Sequence, residues 1–194
     1  MPLNIANPTT VDLLLARRSV KTRDMVEPGP DAQALDAILK AGMRVPDHGK
    51  LAPWRFFVFQ GEARATFGRA IADCYRAEEA SASAATAKGL AGYPVQAPVL
   101  VVVASTPRRD KPIPEFEQRL SAGAACMSML IAAHAQGYAG QWLTGWPAYS
   151  PGVKRWLDLG QGDALAGFLF FGSATREPTE RPRPAFDDIV RWRS

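Results

Sequence analysis

Apolar residues recur every three or four positions in several parts of the chain, the spacing that an amphipathic helix requires. The first such stretch follows Pro8-Thr9-Thr10, a sequence that suits the start of a helix. In the longest stretch, alanines on several faces would allow another helix to approach closely, either in the domain core or at a subunit interface. The predicted helices run from Val11 to Arg17, from Asp31 to Gly42, from Glu62 to about Glu79, from Leu120 to Gln136 and from Ser150 to Leu157.

Short apolar runs between these helices predict β-strands. The run from Ala97 to Ala104 is apolar at every position, which is typical of a strand covered on both faces. We therefore expect it at the centre of a sheet. The other predicted strands are Trp54 to Gln60, a short strand and turn over Gly140 to Gly145, and Leu165 to Phe171.

Three segments carry no strong pattern. Ala80 to Gly92 has few bulky side chains, so we expect it to be mobile and able to form a lid or an entrance wall. Residues Thr106 to Gln118 contain three prolines and are expected to cross the surface. Residues 173–194 are rich in proline and arginine and should form an extended arm that lies across this subunit or a partner.

The loop between the second helix and the first strand contains Pro46 and Pro53, which fix the backbone at both of its ends. It could present Arg44, Asp47, His48 and Lys50 to a ligand. It could equally be a surface connection with no functional role, and this stretch alone does not separate the two interpretations.

A length of 194 residues with 47% hydrophobic residues is typical of one soluble globular domain, here residues 1–194. The formal charge of +4 is modest, and the basic residues form short local groups. This favours a compact anion site over a nucleic-acid surface. In the group Arg17-Arg18-Ser19, the two arginines could interact with the helix dipole or, with the serine, bind a phosphate.

Several function classes lack their signatures. Cys74 and Cys126 stand alone, so neither a disulfide framework nor a metal site is predicted. There is no Rossmann, Walker A, G-x-S-x-G or H-E-x-x-H sequence, and the chain has only two histidines, of which His134 is expected to be a satisfied core residue. The first ten residues do not resemble a secretory signal and no apolar stretch reaches the length of a membrane span, so we expect a cytoplasmic location and no membrane partner.

Three features in this order resemble the FMN-dependent nitroreductase family, particularly its small bacterial NAD(P)H nitroreductases. They are Arg17-Arg18-Ser19, the loop from Pro46-Asp47-His48 to Pro53-Trp54, and Gly137-Tyr138-Ala139-Gly140 leading into Trp142-Leu143-Thr144-Gly145. The resemblance implies an α+β sandwich in which helices flank a central mixed sheet. It also implies an intertwined homodimer with a C-terminal arm and two FMN molecules at the subunit interface.

The resemblance also implies roles for individual residues. Arg17, Arg18 and Ser19 correspond to contacts with the phosphate and ribityl chain, and Lys21 to a position near the flavin pyrimidine edge. Arg44, Pro46, Asp47 and His48 would reach the same FMN from the other subunit. The segment Trp142, Leu143, Thr144 and Gly145 would run along the isoalloxazine ring, and Arg181 and Arg183 would complete the phosphate site.

The implied activity is electron transfer from NADH or NADPH to a nitroaromatic or quinone-like small molecule by ping-pong kinetics, with the flavin rather than a catalytic side chain performing the chemistry. Two alternatives remain: a flavin-fragmenting or dehalogenating enzyme on the same fold, and a non-catalytic protein that binds flavin or another anion. The sequence departs from many relatives at Ala52 and Arg55, where glutamine and histidine are common, so a hydrogen bond near the loop would be absent or replaced.

Overall fold

The computed structural model describes residues 7–193; the ends of the predicted domain, residues 1–6 and residue 194, lie outside this range. Helix starts follow side chains that accept a hydrogen bond from a first-turn N–H: Asn7, Asp31, Ser83 and Ser150. The helices are α1 (Pro8–Ala16), α2 (Ala32–Gly42), α3 (Glu62–Glu78), α4 (Ala84–Gly92), α5 (Glu115–Ala135), α6 (Trp146–Tyr149), α7 (Pro151–Trp156) and α8 (Phe186–Ile189).

The strands form one five-stranded sheet. They are β1 (Met25–Val26), β2 (Trp54–Gln60), β3 (Val99–Ser105), β4 (Ala139–Leu143) and β5 (Ala164–Ala174). The order is β1-β5-β3-β2, and β4 pairs with the middle of β5. Every described pair is antiparallel, so the expected mixed sheet is not seen in the described part of this single chain. Two helices separate β2 from β3, whereas a parallel neighbour is typically reached through one crossover helix.

Helices cover both faces of the sheet, which confirms the α+β class. All seven residues of β3 are buried, as its continuous apolar run predicted. Side chains alternate between faces along a strand, so Leu100 and Val102 pack with α3 and α7, while Val99 and Val101 pack with α2 and α5. The domain therefore has three layers with β3 and β5 at the centre of the sheet. None of the helices within residues 7–193 is both long and apolar enough to cross a membrane.

Helix α5 begins five residues earlier than the apolar pattern predicted. Pro114 occupies its N-cap position and Glu115 and Glu117 lie in its first turn, where carboxylates interact favourably with the helix dipole. The side chain of Gln118 is buried and bonds to backbone groups of Arg108 and Ile113. The expected surface excursion is therefore shorter, and Gln118 attaches it to α5.

The segment expected to pack poorly contains α4, which lies closely against α3. Ala87 is 1% exposed. A Cβ on Gly68 of α3 would come within 2.1 Å of the Ala91 carbonyl oxygen, so the two helices approach more closely than bulky side chains would allow. The expectation of weak burial from small residues is wrong here, because small residues are what allow α3 and α4 to come into contact.

This close approach makes a prediction about stability. Gly68→Ala should lower the free energy of unfolding by about 1–3 kcal/mol, because the new methyl group forces α3 and α4 apart. Gly89→Ala in α4 is the control, since its Cβ meets nothing within 4 Å and alanine favours a helix. Urea denaturation of both variants measures the difference, and equal stability of the two would contradict the close contact.

Candidate active site

The basic segment after α1 is attached to the start of β4. Arg17 is the C-cap residue of α1, and the chain leaves the helix there in an extended conformation. The Val20 N–H then donates to the Gly140 carbonyl oxygen at 3.3 Å, and the Thr22 N–H donates to Oε1 of Gln141 at 2.9 Å. These bonds place Ser19 and Lys21 beside Gln141.

The C-terminal arm returns to the same segment. The Thr175 N–H donates to the Asp24 carbonyl oxygen at 2.9 Å, and Arg176 forms an ion pair with the Asp24 carboxylate at 2.8 Å. Farther along, Nη1 of Arg18 donates to the Pro178 carbonyl oxygen at 2.7 Å. Residues 160 positions apart in sequence are thereby held side by side.

Two adjacent cavities lie between the basic segment and the arm. The smaller, of about 220 Å³, is the four-arginine pocket; it is lined by Arg17, Arg18, Ser19, Thr179, Arg181 and Arg183. The larger, of about 600 Å³, is called the groove, and Ser19, Lys21, Gln141 and Arg181 are among the residues that line it. Ser19, Thr179 and Arg181 line both cavities, so the two are adjacent.

The four arginines differ in their surroundings. Arg18 lies 3.2 Å from Glu177 and 3.6 Å from Glu180, and Arg183 lies 3.1 Å from Glu180. Arg17 and Arg181 form no ion pair within residues 7–193, and Nε of Arg17 is buried without a hydrogen-bond partner there. A buried cationic N–H without an acceptor is unfavourable. The pocket therefore suits an anion that approaches Arg17.

His134 of α5 lies near Arg17. The prediction that His134 is a satisfied core residue is wrong at Nε2, which is buried and has no partner within the described residues. Burial, followed by the positive charge of Arg17, lowers the pKa of His134. The imidazole is thereby held neutral beside the cationic pocket, which avoids a second positive charge next to Arg17.

Trp142, Leu143, Thr144 and Gly145 do not line the groove, but they continue directly from Gln141, which does. Trp142 is the most exposed residue of β4, and its Nε1 donates to the Ala166 carbonyl oxygen at 3.0 Å. Gly145 has φ +128°, a conformation that side chains disfavour. The segment thus leads from the groove into a sharply turned backbone before α6.

Arg44, Pro46, Asp47 and His48 lie apart from the groove. Asp47 accepts hydrogen bonds from the N–H groups of Leu51 at 3.1 Å and Ala52 at 2.9 Å, so its carboxylate holds the loop instead of facing outward. The loop is also tied to α5, because Ser121 donates to the Pro46 carbonyl oxygen and His48 lies 2.7 Å from Glu117. Arg44 is exposed.

The departures at Ala52 and Arg55 have a structural counterpart in this loop. Nη1 of Arg55 donates to the Trp54 carbonyl oxygen at 2.7 Å and to the Ala52 carbonyl oxygen at 3.3 Å. Ala52 adopts φ +46°, which is unusual for a residue other than glycine. The Arg55 side chain thus supplies hydrogen bonds at the end of the loop.

Gln141 and Thr179 line the cavities and were not among the predicted site residues. Gln141 immediately precedes the segment Trp142 to Gly145, and its polar side chain on an otherwise apolar strand was a usable signal. No pattern marks Thr179, because the arm that carries it has no periodicity. Both residues reach the site through contacts between distant parts of the chain.

Comparison with known families gives one match over most of the chain. The model of the nitroreductase family matches residues 14–173. The Escherichia coli (strain K12) protein named "Putative NAD(P)H nitroreductase YdjA" is 36% identical over 168 residues, which are 84% of this chain and 87% of that protein.

Solved structures agree with the described fold. A nitroreductase-like family protein from Bacillus cereus has a TM-score of 0.81 at 20% identity, over 99% of this chain and 98% of its own. A nitroreductase with bound FMN from Bacteroides fragilis has a TM-score of 0.69 at 20% identity, over 95% of this chain and 98% of its own. At these identities the similarity establishes the fold.

The capping role of Asp47 can be tested directly. Asp47→Ala should lower the free energy of unfolding by about 1–2 kcal/mol and open residues 48–53 to proteases, because two loop N–H groups lose their acceptor. Asp47→Asn keeps one acceptor oxygen, so its free energy of unfolding and its protease resistance should lie between those of Asp47→Ala and the unaltered protein. Asp36→Ala, at an exposed position of α2, is the control. If the loop of Asp47→Ala resists limited proteolysis as well as the loop of Asp36→Ala does, the capping role of Asp47 is contradicted.

Proposed function

The chain belongs to the nitroreductase family, and we propose that it is an FMN-dependent NAD(P)H oxidoreductase that reduces nitroaromatic or quinone-like acceptors by ping-pong kinetics. The observation that carries the proposal is the four-arginine pocket beside the groove. A phosphate at one end of an elongated cavity is the arrangement that a flavin mononucleotide requires. The Bacteroides fragilis nitroreductase, which shares the fold, is described with bound FMN.

Arg17, Arg181 and Ser19 are proposed to hold the phosphate. Arginine side chains match the geometry of phosphate oxygens, and the serine hydroxyl can donate a further hydrogen bond. The Nε of Arg17, which is buried and has no hydrogen-bond partner within residues 7–193, supports this assignment. Arg18 contacts the arm carboxylates Glu177 and Glu180, so we assign it to holding the arm across the pocket as well as to the pocket's positive charge. Arg183 belongs to the arm itself and pairs there with Glu180.

Lys21 and Gln141 are proposed to face the ring end of the cofactor, because both line the groove beyond Ser19. The ammonium of Lys21 would stabilise negative charge on the pyrimidine edge. Bound FMN would itself supply hydride and electron transfer. The protein's tasks are then to bind, orient and polarise the flavin, which fits a chain whose groove contains no histidine.

The loop from Arg44 to His48 is proposed to serve a second copy of the chain. It lies apart from the groove of its own subunit, whereas the resemblance implies a contact with FMN. Large apolar side chains are exposed on α1 and on the arm, with Leu15 at 79% and Trp192 at 83%. Surfaces of this kind are typical of protein interfaces. We therefore propose a homodimer in which each loop completes the partner's site.

Turnover with purified protein tests the function. We expect a yellow protein that is bleached by NADH or NADPH without oxygen and is reoxidised by a nitroaromatic compound, with parallel lines in double-reciprocal plots. A colourless protein that takes up no FMN would overturn the proposal. Flavin uptake without nicotinamide oxidation would favour a non-catalytic binder, and consumption of the flavin itself would favour a flavin-fragmenting enzyme.

The phosphate assignment is tested by Arg17→Ala and Arg181→Ala. Each should weaken FMN binding by about 10- to 100-fold, because a charge-assisted hydrogen bond to the phosphate is lost. Riboflavin, which lacks the phosphate, should bind all three proteins with similar affinity. Arg69→Ala on the exposed face of α3 is the charge-matched control. Equal losses for FMN and riboflavin would count against the phosphate role.

A further inference from the structure

The peptide between Thr144 and Gly145 is held by side chains that do not line the groove. The hydroxyl group of Tyr93 donates to the Thr144 carbonyl oxygen at 3.0 Å. Two residues later, Nε1 of Trp146 donates to Oε1 of Glu79 at 2.6 Å. These two bonds fix the backbone on both sides of Gly145, which has no side chain to restrict its own φ of +128°.

Tyr93 is a rigid donor. It begins the short 3-10 turn Tyr93–Val95, which follows α4, and its ring packs edge-on against Phe168 at 5.4 Å and Phe170 at 5.3 Å between centroids. Both phenylalanines are fully buried in β5. Burial also raises the pKa of Tyr93, so the hydroxyl keeps its proton. The central sheet therefore determines where the hydroxyl points.

Glu79 and its neighbour Glu78 extend the same support. Glu78 is the last residue of α3, and Glu79 is its C-cap residue. Oε2 of Glu78 accepts a hydrogen bond from Ser150 at 2.7 Å, and the ring of Tyr75 packs edge-on against Trp146 at 5.3 Å. The backbone after Gly145 is thus attached to α3 at Trp146 and again at Ser150.

The orientation of the Thr144–Gly145 peptide follows from these contacts. In a trans peptide the carbonyl and the N–H point in opposite directions. Because the Tyr93 hydroxyl holds the Thr144 carbonyl, the Gly145 N–H of the same peptide is directed away from that hydroxyl. Without the Tyr93 hydroxyl, the peptide could rotate and lose this direction.

We propose that Tyr93 and Glu79 are positioning residues that aim the Gly145 N–H at the flavin ring. This rests on the proposed function, in which Trp142 to Gly145 run along the isoalloxazine. Neither residue contacts the cofactor; both act through the backbone. They therefore control the affinity and the reduction potential of the flavin from outside its site.

The experiment uses Tyr93→Phe, which removes only the hydroxyl, and Glu79→Ala, which removes the acceptor. Glu79→Gln keeps an acceptor oxygen and should restore the behaviour of the unaltered protein. Tyr138→Phe is the matched control, because the Tyr138 hydroxyl makes no hydrogen bond within residues 7–193 and the residue precedes the same strand.

We expect Tyr93→Phe and Glu79→Ala to bind FMN roughly three- to tenfold more weakly, because each variant loses one hydrogen bond. Both should also shift the midpoint potential of bound FMN. Amide exchange over residues 143–150 should also be faster in the FMN-free variants. An effect on melting temperature alone, with unchanged affinity and potential, would overturn the inference and leave a structural role.

The two proposals fail in different ways. If the unaltered protein takes up no FMN, both are wrong. If it takes up FMN and reacts with NAD(P)H while Tyr93→Phe matches Tyr138→Phe in affinity, potential and amide exchange, only the positioning role is wrong. A loss in Glu79→Gln as large as in Glu79→Ala would assign the effect to the carboxylate charge and would contradict the hydrogen bond to Trp146.

Discussion

The antiparallel pairing of β3 with β5 is the constraint on which the rest of the molecule depends. It joins Val99 to Phe171 and Ser105 to Ala164. Both strands are buried, so each supplies apolar side chains to both helical layers. β5 then continues past the sheet centre to pair with β1, and this extension delivers the arm to the basic segment after α1. The position of the four-arginine pocket follows from that strand.

The sequence predicted the elements whose apolar residues form a regular pattern. β2 was predicted with its observed bounds, and α2, α3 and α7 within one or two residues, because each buries one face or is buried wholly. α6 and α8 were missed because four residues are too few to show a period. The close packing of α4 on α3 was not predicted, because it depends on the small size of glycine and alanine, which a pattern of apolar residues does not indicate.

Some residues that line the two cavities could be named from the sequence, but their arrangement could not. Arg17, Ser19 and Lys21 could be selected because they are close in sequence. Their neighbours Arg181 and Thr179 come from the arm, and their place depends on hydrogen bonds such as that from Arg18 to Pro178. The charge of Asp47 did not reveal that its carboxylate also accepts hydrogen bonds from Leu51 and Ala52 of its own loop. The spacing of residues in the sequence does not predict which hydrogen-bond partner a charged side chain will have in the folded structure.

The arm's carboxylates bear on the charge of the pocket. Four arginines line it, and Glu177 and Glu180 contact Arg18 and Arg183, so four positive and two negative charges leave a net charge of +2. A phosphate monoester carries about −1.5 to −2 at pH 7. The glutamates thus reduce the repulsion among the arginines to a level that one phosphate can balance. They also leave Arg17, whose buried Nε has no partner in the part of the chain that the structure describes, as the group that gains most from an anion.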